Sequence, residues 1–319
     1  MTKDPLFLVN SKIPCPVCGG DRRARRECKA CETSGFKPVD MANMWAPSPA
    51  FLVCGGPSIN TLPFHKLSER GIVSLAVNNS AGHVPVSAWV YSDPQTKFHS
   101  EIFLDPKIMT FSPIPKLRKT IRFKLPNGQF RDTKIRVKDC PNTFGFSRKT
   151  LFSPESFLTE KEAHWGRGGK QPQREFTCLC TMLLGIRLLH YLGCPRVYML
   201  GVDFNMTDKE QYSFSQHTRP HNGRYWKENH MLKELKPYFE KDGFKLFNCN
   251  PSSACDAFEY VHFGKAFEDC KGTIRPDNKL DLADWYSKNI AEEHVRLNPK
   301  PISIDEYKAA QKCLKEECS

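Results

Sequence analysis

Two pairs of cysteines near the start of the chain carry the plainest chemistry. Cys15-Pro16-Val17-Cys18 and Cys28-Lys29-Ala30-Cys31 each separate two thiols by two residues, with nine residues between the pairs. A C-x-x-C turn aims both sulfurs at one point, and two such turns supply the four soft ligands of a tetrahedral zinc ion. Gly19, Gly20 and Gly35 stand where such knuckles need sharp turns. Fourteen cysteines in a short secreted chain would suggest disulfides, but the pairing and the absence of an export signal favour metal. Cys15, Cys18, Cys28 and Cys31 are therefore read as ligands of one structural Zn2+ in a small N-terminal zinc ribbon, too short to hold a core without its ion. A second pattern begins at Phe51. The apolar run Phe51-Leu52-Val53 stops at Cys54-Gly55-Gly56-Pro57-Ser58, as a strand does when it enters a tight turn. Glycines there let backbone N–H groups approach a phosphate, and Ser58 can cap the next helix or donate to the ligand.

These residues need a scaffold, and the chain supplies one in alternating segments. Apolar runs over 72–78, 88–92, 108–111, 196–200 and 244–248 read as strands, most of them ending in polar residues such as Asn78, Asp93 and Asp203. Helical patterns over 62–67, 177–192 and 231–241 fall between them. The alternation predicts an α/β fold, a Rossmann-like parallel sheet flanked by helices, whose ligands sit at the strand ends. The organisation expected is a zinc ribbon over 1–45, with a linker-like stretch at 41–49, then the nucleotide-binding domain over 46–275. An insertion or lid spans 113–175, where Pro, Gly and charge replace periodicity, and a helical tail occupies 276–319.

The net charge of +12, from 47 basic and 35 acidic residues, attracts polyanions, and nucleic acid is a common one. Much of the excess lies in Arg22, Arg23, Arg25 and Arg26 between the knuckles and in the KLRKTIRFK segment, 116–124. No apolar run approaches the roughly 20 residues that span a bilayer. The N-terminus lacks the features of a signal peptide, so a cytoplasmic location without membrane is expected.

In order along the chain, C-G-G-P-S, V-N-N, Y-S-D-P, a helix opening at Thr177, G-V-D-F, Y-S-F and N-P-S-S resemble the glycosyltransferase family 42 sialyltransferases. They are equally similar to the motility accessory factor and pterin pyrophosphokinase-like proteins, over roughly residues 50–260. The cysteine segment is similar to half of the zinc centre of DnaJ chaperones. The sialyltransferase resemblance implies that Gly55, Gly56 and Ser58 embrace the donor's phosphate and sugar, with Gly55 where the family has asparagine. It implies that Asn78 contacts the donor, that Thr177 opens the helix at the site, and that Tyr212 steadies the leaving phosphate, while Asn205 replaces a second tyrosine. Trp226 falls where the family places its histidine base, and His217 and His221, just upstream, are the nearest replacements. With Asp203 these histidines form the expected catalytic set, and Asp93 completes the donor-binding one.

Three functions follow. The first is a metal-independent glycosyltransferase that moves a sugar from a nucleotide-sugar donor to a hydroxyl, which the zinc ribbon and basic charge extend to a modified base in DNA. Such a base would have to be flipped or single-stranded. The second is a diphosphokinase acting on a pterin-like alcohol, with Mg2+ held by Asp93 and Asp203. The third is a non-catalytic nucleic-acid-binding protein in which the ribbon and basic face do all the work.

Overall fold

The computed structural model describes residues 6–124, 130–167, 178–207, 211–214 and 222–272. The strands are β1 Leu8–Pro14, β2 Phe36–Val39, β3 Ala50–Val53, β4 Val73–Val77, β5 Ala88–Val90, β6 Met109–Pro113, β7 Thr120–Lys124, β8 Phe130–Arg136, β9 Thr143–Phe146, β10 Arg148–Lys149, β11 Ala163–His164, β12 Gly166–Arg167, β13 Cys178–Leu179, β14 Arg196–Leu200 and β15 Lys245–Asn248. The α-helices are α1 Ser100–Leu104, α2 Thr181–Tyr191, α3 Asn222–Asp242 and α4 Phe263–Gly272. Nine strands form one sheet in the order β15-β14-β3-β4-β5-β6-β9-β1-β2. From β15 to β9 every neighbouring pair is parallel, and β1 and β2 extend that edge antiparallel.

Both faces of the sheet are covered, which is why its strands read as near-continuous apolar runs. Ala50, Leu52, Leu75, Val77, Ala88 and Val90 enter the core that α2 and α3 close. Phe51, Val53, Ala76 and Trp89 enter the opposite core, with α1 and α4. Every residue of α2 is buried, so this helix lies within the core. Gly185 lets it approach the sheet, since a Cβ there would stand 2.7 Å from Leu52 Cδ1. On the other face α4 is tied to β14 by Asp269, which accepts from Arg196 Nε at 2.8 Å, Arg196 Nη2 at 2.9 Å and the Tyr198 hydroxyl at 2.7 Å.

The strand order reverses between β3 and β14. The chain proceeds from β3 through β4, β5 and β6 on one side, then crosses back to place β14 on the other. The connections after β3 and β14 therefore diverge and leave a crevice at the carboxyl edge of the sheet, where open α/β sheets bind ligands.

Several expectations are corrected. Residues 41–49 are no free linker. Met41 and Trp45 are buried, the Met41 N–H donates to the Tyr191 hydroxyl at 2.9 Å, and the Trp45 N–H donates to the Leu192 carbonyl at 2.7 Å. The prolines suggested an open connection, but the apolar residues before them, Met41 and Trp45, seat on the end of α2. The ribbon is continuous with the main domain, because β1 and β2 are strands of the same sheet. Residues 113–175 contain β9, a strand of that sheet too short to show periodicity, and the separate β7–β8 hairpin. Helix α2 starts at Thr181, four residues beyond the expected opening. Thr177, His217, His221 and the expected tail lie outside the described residues. Among the described residues no helix is long and apolar enough to cross a membrane.

Candidate functional site

The cysteine knuckles sit at the tip of the β1–β2 hairpin. Cys15, Cys18, Cys28 and Cys31 are all buried, and their sulfurs all lie within 4.8 Å of one another. Cys15 Sγ is 3.8 Å from Cys28 Sγ and Cys18 Sγ is 3.7 Å from Cys31 Sγ. A tetrahedral ion with metal–sulfur bonds of about 2.3 Å needs sulfur–sulfur edges of about 3.8 Å, so the set is compatible with a structural zinc site. The Gly35 N–H donates to Cys31 Sγ at 3.3 Å, the kind of outer contact that stabilises a thiolate. Between the knuckles, Asp21 accepts from the backbone N–H groups of Arg23 at 2.8 Å and Ala24 at 2.9 Å. Those bonds hold its carboxyl below the usual range and fix the loop that presents the arginines.

The second site is the crevice at the strand reversal, a cleft of about 370 Å3. Its floor is two turns packed backbone to backbone. The Gly56 N–H donates to the Gly201 carbonyl at 2.8 Å, and a Cβ on Gly56 would stand 2.6 Å from that oxygen and 2.5 Å from Asp203 Cγ. Asp203 clamps the floor. Its nearly buried carboxylate accepts from the Ser58 N–H at 2.8 Å, from the Ser58 hydroxyl and from Asn250 Nδ2 at 2.8 Å. One carboxylate thus joins the ends of β3, β14 and β15. A buried charge needs such donors, and they occupy the group that was expected to do chemistry or hold Mg2+. The segment after the turn is a short 3-10 helix, Pro57–Thr61, in place of the expected α-helical start.

One wall is a hydrogen-bonded cluster at the ends of β4 and β5. Asn78 takes the left-handed conformation that asparagine tolerates, with φ 51°. Its Nδ2 donates to Thr181 Oγ1 at 3.2 Å and its Oδ1 accepts from the Ser92 N–H at 3.2 Å, while the Ser92 and Thr181 hydroxyls bond each other. The opposite wall is the first turn of α3 with the segment around Tyr212. Arg224 Nε donates to Glu228 Oε1 at 2.7 Å, and the guanidinium also reaches the Leu179 carbonyl. Burial works against the Arg224 charge, but buried Glu228 outweighs it and raises the guanidinium pKa further. The Tyr225 ring stacks on Phe204 (5.2 Å, 7°) and the Tyr212 ring on Phe214 (5.3 Å, 16°). Burial pushes both tyrosine hydroxyls above their ordinary pKa, and Tyr225 donates to Tyr212, so both stay protonated at neutral pH and the Tyr212 proton is left for a ligand. Phe204 itself is left-handed, with φ 52°, a strained state for an aromatic residue.

A third side brings two cations near the rim. Lys116 Nζ donates to the carbonyls of Ser92 and Asp93 and lies 5.6 Å from the Tyr91 ring centroid. The Arg148 guanidinium covers Trp165 at 3.6 Å from the ring centroid. Burial, reinforced by the Arg148 charge, lowers Lys116 to about 8, and burial lowers Arg148 to about 10. Asp93 stands at the same rim, where its carboxylate pairs with Lys97 Nζ at 3.1 Å.

Of the residues singled out in the sequence, the cleft brings together Gly55, Gly56, Asn78, Asp93, Asp203 and Tyr212, with Ser58 beneath its floor. Gly55 lies under the aromatic pair, since a Cβ there would stand 3.1 Å from Tyr212 Cδ1 and 3.2 Å from Phe214 Cε1. Sequence reasoning missed Ser92, Thr181, Trp165, Arg224, Tyr225 and Glu228. Ser92 lay inside the quoted Y-S-D-P, and Thr181 opens the helix one turn after Thr177. Arg224 and Glu228 stand four residues apart, the spacing of a helical ion pair. Compared with protein-family models, curated proteins and solved structures, the chain matches none.

Proposed function

We propose that the cleft is the donor site of a nucleotide-dependent transferase, with a glycosyltransferase acting on a nucleotide sugar as the leading form. One observation carries this reading. At a strand reversal, one cleft is lined by stacked aromatic rings, by a cluster of hydroxyl and amide groups, and by the cation Arg224 beside Tyr225. Flat aromatic faces suit a nucleobase, and a guanidinium anchored by a buried carboxylate suits a phosphate. The Asn78–Ser92–Thr181 cluster offers the directional polar groups that select a sugar.

In the transfer, an acceptor oxygen bonds to the anomeric carbon as the bond from that carbon to the phosphate oxygen breaks. The electron pair leaves with the phosphate, stabilised by Arg224 and by the Tyr212 hydroxyl, which Tyr225 polarises by donating to it. The acceptor proton passes to a base. His217 and His221 stay assigned to that role, since they precede α3 directly in the chain and histidine titrates near neutrality. Asp203 is reassigned from catalysis to positioning. Because its carboxylate already accepts three hydrogen bonds, the metal-independent transferase is favoured over the Mg2+-dependent diphosphokinase. At the hairpin tip, the ion proposed for the four cysteines is zinc.

The test is calorimetric binding of a panel of nucleotide sugars and measurement of nucleotide release. Wild-type protein is expected to bind at least one donor, and Arg224→Gln to weaken it ~10-fold or more, the scale of a lost charge-assisted bond. Binding of no nucleotide by the folded protein would overturn the reading. Turnover that requires added Mg2+ would move it to the diphosphokinase.

A further inference from the structure

A second cavity, of about 620 Å3, opens between the cysteine hairpin and the sheet. Four arginines from three parts of the chain line it: Arg25 and Arg26 from the knuckle loop, Arg118 from the turn before β7, and Arg148 from the segment after β9. Two carboxylates also border it, and both are engaged. Glu32 pairs with Lys161 Nζ at 3.3 Å, and Glu162 accepts from the Ser147 hydroxyl at 3.2 Å. The arginines are held in place. Arg118 donates to the Ser34 carbonyl and lies 4.4 Å from the Phe36 ring centroid, while a Cβ on Gly35 would stand 2.8 Å from Arg118 Nη2 and 3.1 Å from Arg25 Cδ. The hairpin and the sheet thus meet through four arginines facing two carboxylates, a net positive lining that favours an anion.

This cavity and the aromatic cleft are neighbours along the carboxyl edge of the sheet. Arg148 lines the first, Trp165 lines the second, and the two side chains stack. At that junction two buried donors, Arg148 Nη1 and Trp165 Nε1, have no hydrogen-bond partner among the described residues. A buried donor without a partner is costly, which points to a ligand that supplies acceptors.

We propose that the arginine cavity binds the phosphates of a single nucleic-acid strand and leads one nucleotide past Arg148 to the mouth of the aromatic cleft, where its hydroxyl is the acceptor. The acceptor role rests on the transferase reading of that cleft; the phosphate contact does not. A single strand fits better than a duplex because the hydroxyl must reach a recess beside Trp165.

The experiment is fluorescence anisotropy of a labelled twelve-nucleotide thymidine strand, titrated at several salt concentrations. The wild-type protein should bind with strong salt dependence. Arg25→Ala/Arg26→Ala should weaken binding and lower the slope of log affinity against log salt by about 1.4, at about 0.7 per phosphate contact on a single strand. Arg148→Gln should weaken binding independently. The control, Lys245→Ala/Lys265→Ala, removes equal charge from exposed positions on the far strand β15 and on α4, and should change nothing. Equal losses in the control, or an unchanged slope in the arginine variant with its zinc retained, would overturn the proposal. Displacement of the strand by millimolar inorganic phosphate, with a mononucleotide bound as tightly as the strand, would make the cavity a free-anion site and also defeat it. Nucleotide release from sugar donors, measured without any strand, reports the transferase reading separately.

Discussion

The cysteine knuckles and the strand-end cleft solve the same problem, holding polar groups at a fixed point, by opposite means. At the knuckles, four thiols come from seventeen consecutive residues, and their distances follow from two local turns closing on one centre. At the cleft, the groups come from the ends of β3, β4, β5, β14 and β15 and from the starts of α2 and α3, and only the sheet's order brings them together. The knuckle's organiser is the centre on which four thiols converge, compatible with a structural zinc site. The cleft depends on Asp203, a carboxylate after β14 that collects donors from the ends of two other strands, β3 and β15. A locally encoded site needs little core, whereas a topologically encoded one inherits its precision from the whole domain.

Removing each organiser should break its own region and spare the other. The larger effect is expected at the knuckle. Cys18→Ser should abolish stoichiometric zinc, about one ion per chain in the wild type for four-thiolate ligation. It should also unfold the hairpin tip, because structural zinc supplies ~10 kcal/mol or more to small domains. Elemental analysis and hydrogen exchange over residues 15–35 test this. Zinc retained at wild-type level would show that these sulfurs are not its ligands. Asp203→Ala should come next, at about 2–3 kcal/mol, as the Ser58 and Asn250 donors lose their shared acceptor and are left unpaired. Its zinc content should stay unchanged. Urea denaturation showing a loss below ~1 kcal/mol, the usual range of a surface substitution, would remove Asp203 as the clamp.

The same contrast explains what was legible in the sequence. Cys15, Cys18, Cys28 and Cys31 could be assigned to one centre because spacing alone converges them. The strand Arg196–Leu200 could be bounded to the residue, because both faces are buried and Gly201 ends it. Asp203 could be located but not given its role, since nothing local shows that its carboxylate faces Ser58, 145 residues earlier. Thr181 was missed for the same reason, as its partners Asn78 and Ser92 lie 103 and 89 residues back along the chain. The segment at 41–49 misled because prolines mark turns whether the turn is free or, as with Trp45, seated in a core.

A smaller effect should sharpen the picture of the cleft wall. Thr181→Val keeps the shape and removes the hydroxyl that Asn78 and Ser92 share. It should cost about 1–2 kcal/mol, the range for leaving buried polar groups unpaired. Donor affinity should fall with it, and Thr181→Ser should restore both. A valine variant as stable as wild type would mean that the cluster contributes no rigidity to the wall.

The smallest expected effect separates the two regions by their response to acid. His164, next to Trp165, is fully buried and its pKa is lowered by burial, with Glu160 at 3.2 Å opposing and Lys149 and Arg187 reinforcing the shift. Its folded value lies below the unfolded one of about 6.5, so below that pH the unfolded chain binds the additional proton. Stability on the cleft side should therefore be complete above about pH 6.5 and decline as the pH falls toward the folded value. Glu160 responds lower. Burial opposes its charge, but bonds from Lys149, the Ser156 hydroxyl and His164 outweigh that and hold its pKa to about 2. Its contribution is full above the ordinary 4.5 and is lost only as the pH falls through about 2. Urea midpoints between pH 7 and 5 should thus decline in the wild type and flatten in His164→Gln. Zinc release, followed with a chromogenic chelator, should be the same in both proteins, because His164 bonds the Ser153 N–H and Glu160 on the cleft side of the molecule. An equal decline in the two midpoints would assign the acid response to another group. A change in zinc release would show that the knuckle and the cleft side are coupled.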